Sequence, residues 1–192
     1  MDIKIRVGVT VFCLLLVGCF SNDDGGFGRT VSLNIQDAIS MENLKQYNVG
    51  DTIFFDLRFS RYLAEEGFDE PVDIFETTKA EHFSFSFDFQ KFSELENRFS
   101  PINIDEEFVV AEKRDLDTFY YYGGYGTSVG LNEAQDSYET TVGIILVEDG
   151  LFRFDFDNIY IQSPYDFEQV QISIYHSFSV DGRLDTEFEV LE

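Results

Sequence analysis

The feature that most constrains the fold of this chain is an alternation of apolar and polar residues that begins near residue 29 and recurs through the rest of the sequence. It is clearest in residues 82–89, where Phe83, Phe85, Phe87 and Phe89 all fall in one phase. Successive side chains of a β-strand point to opposite faces, so a period of two puts these rings on one face and polar side chains on the other. The pattern predicts a strand that is buried on one side.

The same period predicts strands throughout the chain and gives the fold class. With 22 phenylalanines to fill the apolar faces, we expect an all-β domain, an antiparallel β-sandwich of which an immunoglobulin-like topology is one form. A closed β-barrel is the alternative arrangement. The predicted strands cover residues 31–35, 53–59, 82–89, 102–104, 108–112, 140–147, 151–156, 170–180 and 184–191.

Local signals predict some of the connections. Asp149-Gly150 is a favoured tight-turn pair, and it predicts a hairpin made of the strands on either side of it. One or two short helices are expected, and a Ser-x-x-Glu capping pattern supports one of them. The candidate helical segments are residues 40–47, one turn within 60–80, and 93–96.

The first two dozen residues have the organisation of a secretory signal. Lys4 and Arg6 precede an apolar run that is too short to span a bilayer as a helix, and the chain turns polar at Ser21. Residues 16–19, Leu-Val-Gly-Cys, resemble the lipobox of bacterial lipoproteins. The resemblance implies cleavage before Cys19 and attachment of acyl chains, such as palmitate, to its sulfur and its new α-amine.

The residues after the lipobox favour the outer membrane. Residue 20 is Phe, whereas Asp at this place is the inner-membrane retention signal of enterobacteria, and residues 21–24, Ser-Asn-Asp-Asp, resemble the acidic export tether of surface lipoproteins of the Bacteroidota. This resemblance implies a lipid anchor in the outer membrane and display at the cell surface. Residues 1–18 are then a signal peptide, residues 19–28 a lipidated tether and residues 29–192 a single domain.

Charge and cysteine content exclude several classes of function. The chain has 37 acidic residues against 13 lysines and arginines, a net charge of −24, so it offers no basic face to nucleic acid. The acidity favours solubility, cationic partners or bridging divalent ions. Cys13 leaves with the signal peptide and Cys19 is lipidated, which excludes disulfides and thiolate metal sites from the domain.

Residues 119–126, Phe-Tyr-Tyr-Tyr-Gly-Gly-Tyr-Gly, do not fit the strand pattern. Their glycines disfavour a long regular strand, so we predict a loop. Exposed tyrosines stack on sugars or partner side chains at low entropic cost. Tyr120, Tyr121, Tyr122 and Tyr125 are therefore candidate binding residues, with a hydrophobic cap over the end of the sandwich as the alternative.

Asp155, Asp157 and Asn158 supply oxygen ligands of the kind that Ca²⁺ prefers, and they are the weak metal candidates of the chain. The aspartates are also simply the polar phase of a predicted strand. No other cofactor is expected.

Signals for catalysis are few. The chain has no Gly-x-Ser-x-Gly or His-Glu-x-x-His motif, and nothing marks two of its many carboxylates as a glycosidase pair. His176 lies in the apolar phase of its strand, which predicts a core or edge residue with satisfied hydrogen bonds, and His82 has no partner that spacing identifies.

The expected function is therefore non-enzymatic: a membrane-anchored lipoprotein that binds a glycan, a peptide or a surface protein, or that serves as an accessory subunit. The alternative is an assembly or fimbria-type subunit that exchanges strands, with residues 184–191 as the exchanged strand. A glycan hydrolase is the third hypothesis.

Replacing Cys19 with Ala should prevent lipidation, because the thiolate that accepts the diacylglyceryl group is lost. We expect the variant to leave the membrane fraction or to accumulate unprocessed, as checked by fractionation and mass spectrometry, with Cys13→Ala as the control that keeps the anchor. A processed Cys19→Ala protein that stays in the outer membrane would show that the lipobox interpretation is wrong.

Overall fold

The computed structural model describes residues 30–102, 109–112, 119–121, 124–156, 159–164 and 170–192, with backbone alone at 109–112, 119–121 and 124–125. Within these residues the chain is almost entirely β, so the all-β prediction is confirmed. The strands are β1 (Thr30–Gln36), β2 (Ile39–Met41), β3 (Gln46–Asn48), β4 (Thr52–Ser60), β5 (Tyr62–Leu63), β6 (Val72–Asp73), β7 (His82–Ser93), β8 (Arg98–Pro101), β9 (Val109–Glu112), β10 (Phe119–Tyr121), β11 (Gly124–Asn132), β12 (Ser137–Ile145), β13 (Gly150–Asp155), β14 (Tyr160–Gln162), β15 (Gln171–Ser177) and β16 (Glu187–Leu191), and the helix is α1 (Ile74–Thr78).

Fourteen of these strands form one continuous curled sheet, and β5 and β6 form a small second sheet. The main path runs β1-β15-β14-β7-β11-β12-β4-β2, while β13 joins β7 to β16 and β16 pairs with β3. The pairs β1–β15 and β3–β16 are parallel and the others are antiparallel, so the sheet is mixed where the sequence predicted an antiparallel one. The sandwich and immunoglobulin-like topologies are not confirmed.

Strand β7 is the centre of the sheet, because it has partners on both edges along its length. Ser84 and Phe85 pair with both β11 and β14, whereas Gln90 and Lys91 pair with both β13 and β8. The predicted phase is confirmed: Phe83, Phe85, Phe87 and Phe89 are all buried. The twelve residues of β7 therefore carry one row of rings from one part of the sheet into the other.

The curled sheet closes over a cluster of phenylalanine rings. Phe55 on β4 lies three strands from β7 in the sheet order, yet its ring centroid is 4.9 Å from that of Phe87. It is also 5.4 Å from Phe154 on β13 and 4.9 Å from Phe156. Phe55 is fully buried and thus joins distant strands across the interior.

Arg61 stabilises the segment between β4 and β7, which contains β5, β6 and α1. Its guanidinium donates two hydrogen bonds to the Asp73 carboxylate, at 2.8 Å and 2.6 Å, and it packs 5.0 Å from the ring centroid of Phe75. Asp73 also accepts from Glu76 N and so caps α1. The helical turn expected within residues 60–80 is confirmed, and the Arg61 guanidinium holds the pKa of Asp73 below its usual value.

The helix predicted at residues 40–47 is wrong: β2 and β3 occupy this segment, with a bend between them. The side chain of Asn43 donates to the carbonyl oxygens of Asp185 and Glu187, and β3 pairs with β16. These partners are more than 140 residues away, so long-range pairing overrides the local helical pattern.

The brief helix predicted from Ser93 is also wrong, because Ser93 ends β7 and residues 94–97 form the turn to β8. Ser93 Oγ accepts a hydrogen bond from Glu96 N at 3.3 Å, as in a helix cap, but here the bond closes a hairpin. The Phe92 and Phe99 rings meet edge to face across the two strands, which stabilises the strand pairing.

The hairpin predicted around Asp149-Gly150 is wrong, although both of its strands exist. β12 pairs with β4, β9 and β11, whereas β13 pairs with β16 and β7. Gly150 has φ +139°, and Leu146 N donates to the carbonyl of Asp51 before the chain turns away. The Asp-Gly pair thus connects two different parts of the sheet.

Two adjacent phenylalanines on β4 test the phase of this strand. Phe55→Ala should lower the free energy of unfolding by about 3–5 kcal/mol, because it removes a fully buried ring. Phe54→Ala should cost about 1 kcal/mol or less, because that ring is 41% exposed and only covers Gly143 on the neighbouring strand. Denaturant unfolding of both variants checks this, and the reverse order of losses would contradict the packing described.

Candidate binding surface

The structure places only some of the residues singled out from the sequence. Cys19, Tyr122, Asp157 and Asn158 lie outside the described residues. The lipidation site and most of the calcium candidate therefore stay predictions.

The tyrosine-rich segment is not a loop in its described part, so that prediction is wrong. β10 and β11 form a hairpin in which Phe119 pairs with Gly126, Tyr120 with Tyr125, and Tyr121 with Gly124. β11 continues as a nine-residue strand along β7. Of the glycines that argued against a strand, Gly124 and Gly126 lie within paired strands, and Gly126 has register partners on both edges, Phe119 and Ser86.

Asp155, the described member of the calcium candidate, lies at the end of β13. Its carboxylate accepts a hydrogen bond from Gln90 Nε2 at 3.3 Å, and its register partner on β7 is Asp88. No group of three or more potential metal ligands occurs in the described part of the chain.

A cleft of about 380 Å³ opens beside Asp155. The register between β13 and β16 ends at Arg153 and Glu187, and Phe154 N still donates to the carbonyl of Thr186 at 3.3 Å. Arg153 donates a hydrogen bond to Gln90, and its guanidinium lies 4.4 Å from the ring centroid of Phe99. The charged group of Arg153 thus contacts residues of β7 and β8 and stabilises the side of the cleft. The lining residues are Arg153, Phe154, Asp155, Phe156, Phe178, Arg183, Leu184, Asp185, Thr186 and Glu187.

His176 is a core residue, as predicted, but its hydrogen bonds are not satisfied. It is 4% exposed, and neither ring nitrogen has a partner of normal geometry among the described residues. Its ring meets that of Phe178 edge to face at 4.7 Å. Burial lowers the pKa of His176, and the backbone of Phe156 and the Asp37 carboxylate only partly oppose this shift.

The most distinctive surface is formed by five neighbouring strands: β1, β15, β14, the first half of β7, and β11. Their outward side chains, as far as the structure describes them, include no Asp, Glu, Lys or Arg before Asp88 on β7. We call this surface the uncharged face. It comprises Thr30, Ser32, Asn34, Gln36, Gln171, Ser173, Tyr175, Ser177, Tyr160, Gln162, His82, Ser84, Ser86, Gly126, Ser128, Gly130 and Asn132.

A row of polar side chains crosses the uncharged face, and one of its five members, Ser173, is itself buried beneath Tyr160. The register pairs each of its residues with the next on the neighbouring strand, and we call it the serine row. Paired strands lie about 4.8 Å apart, so five strands make the row roughly 19 Å long. The serine row consists of Ser32, Ser173, Gln162, Ser84 and Ser128.

Two tyrosines stand next to the serine row. Tyr160 and Tyr175 are register partners, and their ring centroids are 5.3 Å apart. Tyr160 Oη is 2.7 Å from Ser173 Oγ, so this ring is fixed in place, while Tyr175 is 47% exposed. Asn34 on β1 continues the same row of the sheet.

Charged side chains occur on the next two strands of the sheet, β12 and β4. Glu139 on β12 is paired with Arg58 on β4, and Thr141 Oγ1 donates to the Asp56 carboxylate. Charged residues make up 26% of the chain, so a surface of this size without any of them is unusual for this sequence. Sequence reasoning missed it, because its residues come from five separate segments and only the register brings them together.

No protein-family model, curated protein or solved structure matches this chain. In the described residues, no helix is long and apolar enough to cross a membrane. Function is therefore argued from the residues of the surface itself.

Burial of a neutral His176 gives a pH dependence that can be measured. A histidine whose folded pKa lies below its ordinary value of 6.5 leaves the protein fully stable above pH 6.5, and stability is lost as the pH falls through the folded pKa. The His176→Leu variant should lack this loss between pH 7 and the range where carboxylates titrate. Urea unfolding at several pH values checks this, with exposed His82→Gln as the control. If the free energies of unfolding of wild type and His176→Leu changed with pH in parallel, the assignment of His176 as a buried neutral histidine would be contradicted.

Proposed function

We propose that the chain is a lipid-anchored, non-enzymatic binding module of the bacterial cell surface and that it holds its partner on the uncharged face. The lipobox at residues 16–19 and the polar residues after it support the anchor. β1 begins at Thr30 and is the first strand of the face. The tether between Cys19 and β1 reaches at most about 35 Å when fully extended, so the face stays close to the membrane that holds it.

The observation that carries this proposal is the absence of charge from the described side chains of one broad surface in a chain of net charge −24. The centres of interfaces are depleted in charged residues, because a charge that is desolvated without a partner is costly. Tyr, Ser, Gly and Asn are also the residues that binding surfaces use most for adaptable contact. The uncharged face presents these residue types on five neighbouring strands of the curled sheet.

Assembly by strand exchange is the second candidate, and a specific observation favours it. β16 lies between β13 and β3, and its Phe188 and Val190 side chains are buried. A strand with backbone partners on both edges and two buried side chains can in principle be supplied by another copy. Size-exclusion chromatography with light scattering separates the two, since a monomer unchanged by deletion of residues 184–192 argues against exchange.

The proposed surface can be blocked by a single bulky charge. Ser84→Arg places an arginine in the middle of the serine row, whereas Ser40→Arg places one on β2, outside the face; both serines are exposed on strands. Full-length protein in detergent is applied to an array of neutral polysaccharides, anionic polysaccharides and immobilised collagen, fibrinogen and mucin. We expect Ser84→Arg to abolish retention on the probes that the wild type binds, and Ser40→Arg to leave it unchanged.

The proposed function would be overturned if both variants were retained equally on every probe. It would also be overturned if none of the three proteins, the wild type included, were retained on any probe. Unfolding curves of both variants show whether the fold is kept. Because both positions are exposed, we expect changes within about 0.5 kcal/mol.

A further inference from the structure

We infer that the partner of the uncharged face is a neutral polysaccharide, whose chain lies flat along the serine row and stacks a sugar ring on the Tyr160–Tyr175 pair. This inference rests on the proposed function and names the class of its ligand. It is carried by the charge, the hydrogen-bonding chemistry and the shape of the face.

Charge selects a neutral ligand. An anionic polymer finds no Lys or Arg among the described side chains of the face, and the chain around it carries a net charge of −24. A cationic partner finds no Asp or Glu there before Asp88. The acidic surroundings therefore repel anions, the face gives cations no ion pair, and an uncharged ligand meets neither penalty.

Hydrogen-bonding chemistry selects a hydroxyl-rich ligand. Ser and Thr hydroxyls donate and accept, and the amides of Asn and Gln do both through separate atoms. Sugar hydroxyls also donate and accept, so each can pair with these groups in either direction. Ser32, Gln162 and Ser84 present such groups at the regular spacing of the strands.

Shape selects a chain rather than a single small molecule. The serine row is roughly 19 Å long and lies on a sheet, so it offers an extended track and no enclosing walls. The tyrosine pair gives it one stacking platform, and the contact of Tyr160 Oη with Ser173 Oγ holds that ring in its binding position before the ligand arrives. The weak contacts that one sugar unit makes are thus repeated by several units of the polysaccharide chain.

Other occupants fit the face less well. A second copy would bring two chains of net charge −24 together, and a protein partner usually inserts large apolar anchors into pockets. The described side chains of the face include two tyrosines and no large aliphatic residue, and the cleft described above lies beside Asp155 instead.

The test is affinity electrophoresis of the full-length protein in detergent, through gels that contain starch, dextran, mannan or a mixed-linkage β-glucan, with pectin and heparin as anionic counterparts. Retardation should occur with at least one neutral polysaccharide and should not change between about 50 and 500 mM NaCl, since screening does not act on an uncharged ligand. Tyr175→Ala should weaken binding about tenfold or more, and Tyr175→Phe should keep most of it. Phe68→Ala is the matched control, because that ring is 63% exposed and lies outside the face.

The outcomes separate the ligand class from the proposed function. Retention by pectin, heparin or a protein that Ser84→Arg abolishes would keep the binding function and overturn the neutral polysaccharide. A dimer that Ser84→Arg dissociates would identify a second copy as the occupant and overturn it as well. Neutral polysaccharide binding that survives Tyr175→Ala and Ser84→Arg would place the ligand elsewhere and overturn both.

Discussion

Contacts between phenylalanine rings across the interior are the interaction on which the rest of this structure depends. Phe55 reaches from β4 to Phe154 on β13, and Phe188 on β16 packs against Phe89 and Phe152. Edge-to-face and offset ring pairs add to the free energy of burying the rings themselves. These contacts hold distant strands of the curled sheet together across its interior, in addition to the strand pairing at β7.

The strands and their buried phases could be predicted from the sequence, whereas their partners could not. Alternation is a local property, and it correctly marked Phe83, Phe85 and His176 as residues of an apolar, buried phase. Pairing is a long-range property: nothing near Asp149-Gly150 shows that the strands on either side join different neighbours. The same limit explains why residues 40–47 looked helical, since their strand partner on β16 lies far along the chain.

The candidate site was harder to predict than the fold. The tyrosine-rich segment attracted attention because its unusual residues are consecutive, yet its described part is an ordinary pair of strands. The uncharged face gives no such local signal, because Ser84 between two phenylalanines reads only as the polar phase of a strand. Its meaning appears when the register sets Ser84 beside Gln162 and Ser128.

The position of β1 has a mechanical consequence. This strand follows the tether, forms the border of the face and is joined to the sheet through seven register pairs with β15. Under the proposed lipid anchor, a pull between the membrane and a bound polymer would load this ladder together with the buried Val31, Leu33 and Ile35 side chains of β1. A load along the strand axis would shear all of its hydrogen bonds together, while a load away from the sheet would unzip them one by one from Thr30. The strength of attachment in flow would then depend on the direction of pull.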